Sequence, residues 1–260
     1  MMRKYLARDF RSHCSWIMTG WLFLNAGALA QDRPDFSGVW ERDPPLHSPA
    51  VSAEQLFAEE PGSGTDDPVL REPYGSRYEA FEEKKRAAES AGKPLEDSSI
   101  RCLPQGMPTL MMAVLPLEIL QSRHEMVVLA EELAQTRRIY IGEKMPPLDE
   151  IAPGYFGFST GRWQGDTLVV QTIGIREDVQ FLDIPHTAQM RIVERFRLKK
   201  PGRLEVKITI EDPKILAKPY SFTFNYKRNP TYKIGEYVCD HNHYAPDGSG
   251  GVSLDTNPKH

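Results

Sequence analysis

What this chain lacks narrows its chemistry first. It has no G-x-S-x-G elbow, no H-E-x-x-H, no P-loop and no G-x-G-x-x-G ahead of a helix. The nucleophile-elbow hydrolases, zinc peptidases and nucleotide-binding enzymes that depend on those motifs are therefore not indicated, and no cofactor is expected. Long basic runs are missing too. Lys and Arg number 32 against 36 Asp and Glu, for a net charge of −4. A mildly acidic body argues against nucleic acid and against an anionic membrane surface as general partners.

No apolar stretch reaches the roughly 20 residues of a comfortable membrane helix. The run 16–30, WIMTGWLFLNAGALA, follows Arg3, Lys4, Arg8 and Arg11 and closes on Ala28-Leu29-Ala30. A basic start, a short apolar run and small residues at its end make a secretory signal cleaved near Ala30; an uncleaved N-terminal anchor is the alternative. The first reading makes the mature protein periplasmic or secreted, with no membrane span. Residues 1–30 hold four basic residues and Asp9, so the remaining 230 carry −7. That length fits one large domain, 31–245, with 246–260 read as a disordered tail.

Cysteine is scarce, and the scarcity is informative. Of three cysteines, Cys14 falls in the signal, leaving Cys102 and Cys239. An even pair in an oxidising compartment is most simply one disulfide, whose long loop gives about 4–5 kcal/mol of chain-entropy stabilisation at most. His241 and His243 follow Cys239, but two ligands make a weak metal site without a third, so no metal is expected.

The rest of the chain reads as strands. RPDFSGVW opens a first strand with Phe36 and Trp40 as anchors, and prolines then interrupt the pattern through a loop and helix insertion, 41–100. Within it, 76–93 has helix-forming composition, Ser76 as a candidate N-cap and Gly92 as a stop. From Leu115 onward, apolar segments separated by short turns form a meander, with tight hairpins at Gln164-Gly165-Asp166 and Lys200-Pro201-Gly202. Leu204, Val206, Ile208 and Ile210 share one face, as do Tyr220, Phe222, Phe224 and Tyr226. About nine or ten strands in meander order predict a mainly β fold, an antiparallel up-and-down barrel.

Ser37-Gly38-Val39-Trp40 at the first strand resembles the G-x-W opening of calycins, the lipocalins and their relatives. A closer resemblance is to a family of uncharacterised exported bacterial proteins. It rests on FSGVW from 36, CLPQGMP from 102, RRIY from 137, GRWQGDTLVV from 161, VERFR from 193, TIEDPKILAKP from 209 and EYVC from 236. That resemblance brings no established chemistry. Relatives typically carry His and Asp where this chain has Phe158 and Gln171, and His-Ser-Glu where it has His186-Thr187-Ala188, so an activity resting on those groups is not carried over.

The candidate site residues come from strand phase. Glu194 falls among Met190, Ile192, Phe196 and Leu198, and Glu236 shares a face with Ile234 and Val238 if 232–240 is a strand. A carboxylate facing a barrel interior needs a partner or a raised pKa, because desolvating a bare charge is costly. Arg138, alternating with Tyr140, is the candidate counter-ion. Trp163 in the GRWQGDT hairpin is either a stacking platform or a plug for the barrel end. Asp183 and His186, three apart in a connection, are candidates for an oriented base.

Together these residues predict an exported barrel binding a small apolar or amphipathic molecule in its interior. Arg138, Tyr140, Trp163, Glu194, Tyr220, Phe222, Phe224 and Glu236 are its expected lining. A cofactor-independent lyase, isomerase or hydrolase is the competing class, with Glu194, Glu236, Asp183 or His186 as its acid/base groups. A structural or envelope-interaction role is third.

Overall fold

In meander order, an odd number of strands closes a ring only if one neighbouring pair runs parallel, and this chain solves that parity problem in a visible way. The computed structural model describes residues 33–44, 68–93, 95, 101–179, 181–239, 244–246 and 252–254. Nine strands close into a barrel in sequence order. They are β1 (Gly38–Arg42), β2 (Leu117–Gln121), β3 (Glu125–Ala130), β4 (Gln135–Ile141), β5 (Phe158–Gln164), β6 (Thr167–Ile173), β7 (Arg191–Lys200), β8 (Arg203–Glu211) and β9 (Tyr220–Arg228). The expected barrel is therefore present, with one departure from pure antiparallel pairing. β4 and β5 run parallel, through Tyr140↔Thr160 and Ile141↔Gly161. That single reversal lets β9 meet β1 antiparallel, Trp40 opposite Arg228. The connection 142–157, longer than any hairpin loop, is what allows it.

Residue alternation sets the faces. Along β7, β8 and β9 the apolar partners named above point inward and are buried, Phe222 and Leu198 less completely than the rest. Both expected tight hairpins form, with Gly165 and Gly202 at positive φ in their turns. At this turn end of the barrel Phe36, fully buried, stacks on Trp163 with ring centroids 5.6 Å apart, and Trp40 Nε1 donates to the Phe36 carbonyl at 2.7 Å.

The opposite, loop end is covered by connections. Met107, Leu110 and Met111, following the CLPQG segment, are wholly buried, and the Tyr226 hydroxyl donates to the Met111 carbonyl at 2.5 Å. Gly106 is needed here: its φ is +72°, and a Cβ would lie 2.5 Å from the Tyr155 carbonyl oxygen. The helix α1 (Tyr74–Ser90) begins two residues before the expected Ser76. It buries none of its own residues, so tertiary ties rather than an apolar stripe hold it. Those ties include a backbone ladder just before it, Arg71 N to the Ile215 carbonyl at 2.8 Å and Ala217 N to the Val69 carbonyl at 2.8 Å.

Two expectations need correction. Residues 232–239 are not a strand: β9 already pairs with β8 on one edge and β1 on the other, so no edge is left for them. Glu236 is accordingly exposed on the outside, as is Val238 at 77%. A short antiparallel pair, β10 (Tyr244–Pro246) with β11 (Val252–Leu254), straddles the start of the segment 246–260. Cys102 and Cys239 are joined as a disulfide, Cα to Cα 5.7 Å, which fastens 232–239 to the start of the CLPQGMP block. Residues 1–30 and the pair His241 and His243 lie outside the described residues.

Candidate ligand site

Inside the barrel the carboxylate expected at Glu194 is present, but its partner is Arg137. Strand β4 points Gln135, Arg137, Ile139 and Ile141 inward and Arg138 outward. Arg137 Nη1 donates to Glu194 Oε1 at 2.9 Å and Nη2 pairs with Oε2, both side chains being 0% exposed. Nη2 also donates to Thr172 Oγ1 at 2.9 Å, and Ser159 Oγ accepts from Nε at 3.3 Å. The network thus spans β4 to β7, with each of the three guanidinium nitrogens facing an acceptor, as a buried pair requires. It holds the wall together and presents nothing to a ligand from outside. Arg138 lies on the outer surface and donates to Glu125 Oε1 at 2.8 Å. Tyr140 is also on that face, half-buried and stacked on Phe158 at 5.2 Å.

The Asp183 and His186 candidates do not engage each other. Asp183, at positive φ in the turn Phe181–Ile184, pairs with Lys85 of α1. His186 is buried, with Nε2 2.8 Å from the Val179 carbonyl and Nδ1 3.4 Å from that of Thr187. An imidazole committed to carbonyls in this way positions its loop and is not an oriented base.

The space sits at the loop end. A cleft of about 530 Å³ opens between the β8–β9 connection and the segment entering β7. Leu148, Ile173, Met190 and Leu216 form its apolar side, and Arg71, Arg191, Glu211 and Lys218 its charged rim. Asp212 shapes it. This buried carboxylate accepts from the Thr187 N–H at 2.6 Å, the Thr187 hydroxyl at 3.2 Å and the Lys214 N–H at 3.1 Å, tying the two connections together. Met190, Asp212 and Leu216 also border a hollow of about 20 Å³ under the 181–186 turn, with Phe181, Ile184, Ile210 and Tyr220. There Phe181 stacks on Phe222 at 5.3 Å, which continues the inward aromatic row through Phe224 to Tyr226.

Of the expected lining, Tyr220 borders this hollow and Phe222 stacks on one of its walls; Phe224 lies deeper and Trp163 at the far end of the barrel. Glu194 is sealed in the wall, and Glu236, Arg138 and Tyr140 are outside it. The cleft residues Arg71, Arg191 and Lys218 were not expected. Each lies in a connection or at a strand end, where residue alternation gives no direction.

No family model and no curated protein sequence matches the chain. Among solved structures, a mutant of the fluorescent protein UnaG is similar over 44% of this chain and 70% of that one, with 18% identity and a TM-score of 0.27. A likeness of that size carries no argument about ligand or activity here.

Proposed function

We propose that the protein is an exported barrel that binds a small amphipathic molecule at its loop end. The observation carrying this is the cleft itself. Its volume of about 530 Å³ is of the size of small-molecule sites, and its wall divides into an apolar side and a cation-bearing rim. The apolar portion of the ligand lies on Leu148, Ile173, Met190 and Leu216, and its polar head meets Arg71 and Lys218. The binding place moves from the barrel interior to this rim, because the interior at Glu194 is occupied by its own ion pair. Export is supported by residues 1–30 and by the Cys102–Cys239 pairing. Among the described residues no helix is long and apolar enough to cross a membrane.

Anilinonaphthalene sulfonate, an apolar dye with one anionic group, tests the site. Ala188 and Ala217 line the cleft with exposed side chains, so Ala188→Trp and Ala217→Trp fill it without disturbing the core. Wild-type protein should bind the dye near one equivalent, and each tryptophan variant should weaken binding about tenfold or more, the equivalent of 1.4 kcal/mol. Dye binding unchanged in both variants removes this cleft as the site. Fractionation of expressing cells, with the mature N-terminus read by mass spectrometry, tests export separately.

A further inference from the structure

Outside the barrel, the strand registers bring cations into a row. Arg162 of β5 is opposite Val169 of β6, Val169 opposite Arg195 of β7, Arg195 opposite Lys207 of β8, and Lys207 opposite Thr223 of β9. Arg162, Arg195 and Lys207 are all exposed. Among the described residues none of the three has a carboxylate partner; Arg195 donates only to the Gln164 side-chain carbonyl, at 3.3 Å. Charged rows farther along the strands behave differently. Arg191 pairs with Glu211 at 2.7 Å towards the loop end, and towards the turn end Arg197 pairs with Asp166 at 3.4 Å and Lys199 with Glu205 at 2.9 Å.

Arg195 directly opposite Lys207 is an unfavourable arrangement, since like charges facing across strands repel. A chain with net charge −4 does not place them together through a general excess of base. Neighbouring strands are about 4.8 Å apart, so the row offers positive charge at one- and two-strand intervals along a line perpendicular to the strands. The adjoining row towards the loop end carries exposed Gln171 and Ser221, with Thr209 and Ser221 hydroxyls 2.8 Å apart.

We propose that this row is a docking strip for a linear acidic polysaccharide, whose successive carboxylates engage Arg162, Arg195 and Lys207 while its hydroxyls meet Gln171, Thr209 and Ser221. Arginine suits carboxylates because its planar fork binds them in a bidentate manner. Charge complementarity along a line fits a polymer with one carboxylate per sugar. A membrane surface fits less well, because none of the large exposed apolar side chains among the described residues (Val69, Val114, Leu120, Leu148 and Val238) belongs to this row or to the polar row adjoining it. This strip is separate from the cleft, and neither inference depends on the other.

The test titrates the full mature chain with a fluorescently labelled galacturonic-acid octamer, at low and at physiological salt. Wild type should bind, more weakly as salt rises. The variant R162Q/R195Q/K207Q should bind about tenfold more weakly or worse, three charge-assisted contacts being lost. The control K84Q/R86Q/K93Q removes the same charge from exposed positions of 74–93 and should bind as wild type does. Melting temperature supplies the fold check: the strip variant, relieved of the Arg195–Lys207 repulsion, should melt no lower than wild type. Absence of octamer binding at low salt overturns the proposal, as does an equal loss in the control. Binding to phosphatidylglycerol vesicles without binding to the octamer overturns it in favour of a membrane surface.

Discussion

Arg137 and Glu194 face each other across the inside of the barrel with no solvent on either side chain, and each is the other's only charged partner among the hydrogen bonds and ion pairs of the described residues. Truncating either leaves a buried charge unmatched, a loss of about 3–5 kcal/mol. Glu194→Ala and Arg137→Ala should each melt far below wild type. Arg137→Met with Glu194→Leu removes both charges at similar volume, and should recover much of the loss. Arg138→Ala, by contrast, should leave the melting curve in place, because its ion pair with Glu125 is exposed. A Glu194→Ala variant that melts like wild type would falsify the interior placement.

The disulfide closes a loop with a sequence separation of 137. Cross-links over loops of that length stabilise by about 4–5 kcal/mol in the chain-entropy account. Alkylation of the protein purified without reductant should label neither Cys102 nor Cys239 until reductant is added, after which the melting temperature should drop. Labelling of both before reduction contradicts the pairing.

Tyr226 gives a pH dependence with a definite sign. Burial pushes its phenol well above the ordinary value of 10.0, with the Glu194 charge adding a smaller push in the same direction. The folded state therefore holds the proton after the unfolded state has released it. The stabilisation is complete below the ordinary phenol value and is lost as pH rises beyond it. Tyr226→Phe should lose the hydrogen bond to the Met111 carbonyl, costing about 1 kcal/mol and up to 3 if that buried acceptor stays unpaired. It should also flatten the decline in stability above pH 10. Denaturant titrations at pH 8 and at pH 10.5 measure both effects.

Helix α1 is strapped to the 181–184 turn by Tyr78, whose hydroxyl donates to the Leu182 carbonyl at 3.2 Å, and by the Lys85–Asp183 pair. Lys85→Gln with Tyr78→Phe should speed amide exchange across 181–190 while leaving β7 to β9 unchanged. If exchange there stays at the wild-type rate, the strap does not hold the turn.

Much of this was legible in the residues. Period-two alternation places β7, β8 and β9 and puts Glu194 inside, because a strand has only two faces and four apolar neighbours choose one. The two adjacent arginines of TRRIYIG are harder. Tyr140 tolerates either face, so taking it as inward selects Arg138, whereas Ile139 and Ile141 select Arg137. Two isoleucines outweigh one tyrosine in hydrophobic burial, and the structure follows them. The stretch 232–239 alternates like a strand, yet strand formation depends on a free edge, which closure had removed. The loop-end cleft had no local signature, since it is assembled from 71, 148, 173, 188–191, 211–213 and 216–219 by the course of the connections.

The parallel contact of β4 with β5 has a kinetic consequence. β1–β4 and β5–β9 are two meanders of sequence neighbours, and they become one ring only when two seams zip, β9 on β1 and β5 on β4. The second is the shorter, with Tyr140↔Thr160 and Ile141↔Gly161 its only paired positions. Arg137 bridges that seam from within, from β4 to Ser159, Thr172 and Glu194 on the other half. Local hairpins form before distant ends meet, because loop closure has to precede the contacts that reward it. The connection 142–157 brings β4 and β5 together over a short loop, so Arg137 is seated before β9 closes on β1 across nearly the whole barrel sequence. Arg137→Met, which removes a contact formed before that closure, should slow folding as well as speed unfolding, a split that stopped-flow denaturant jumps resolve.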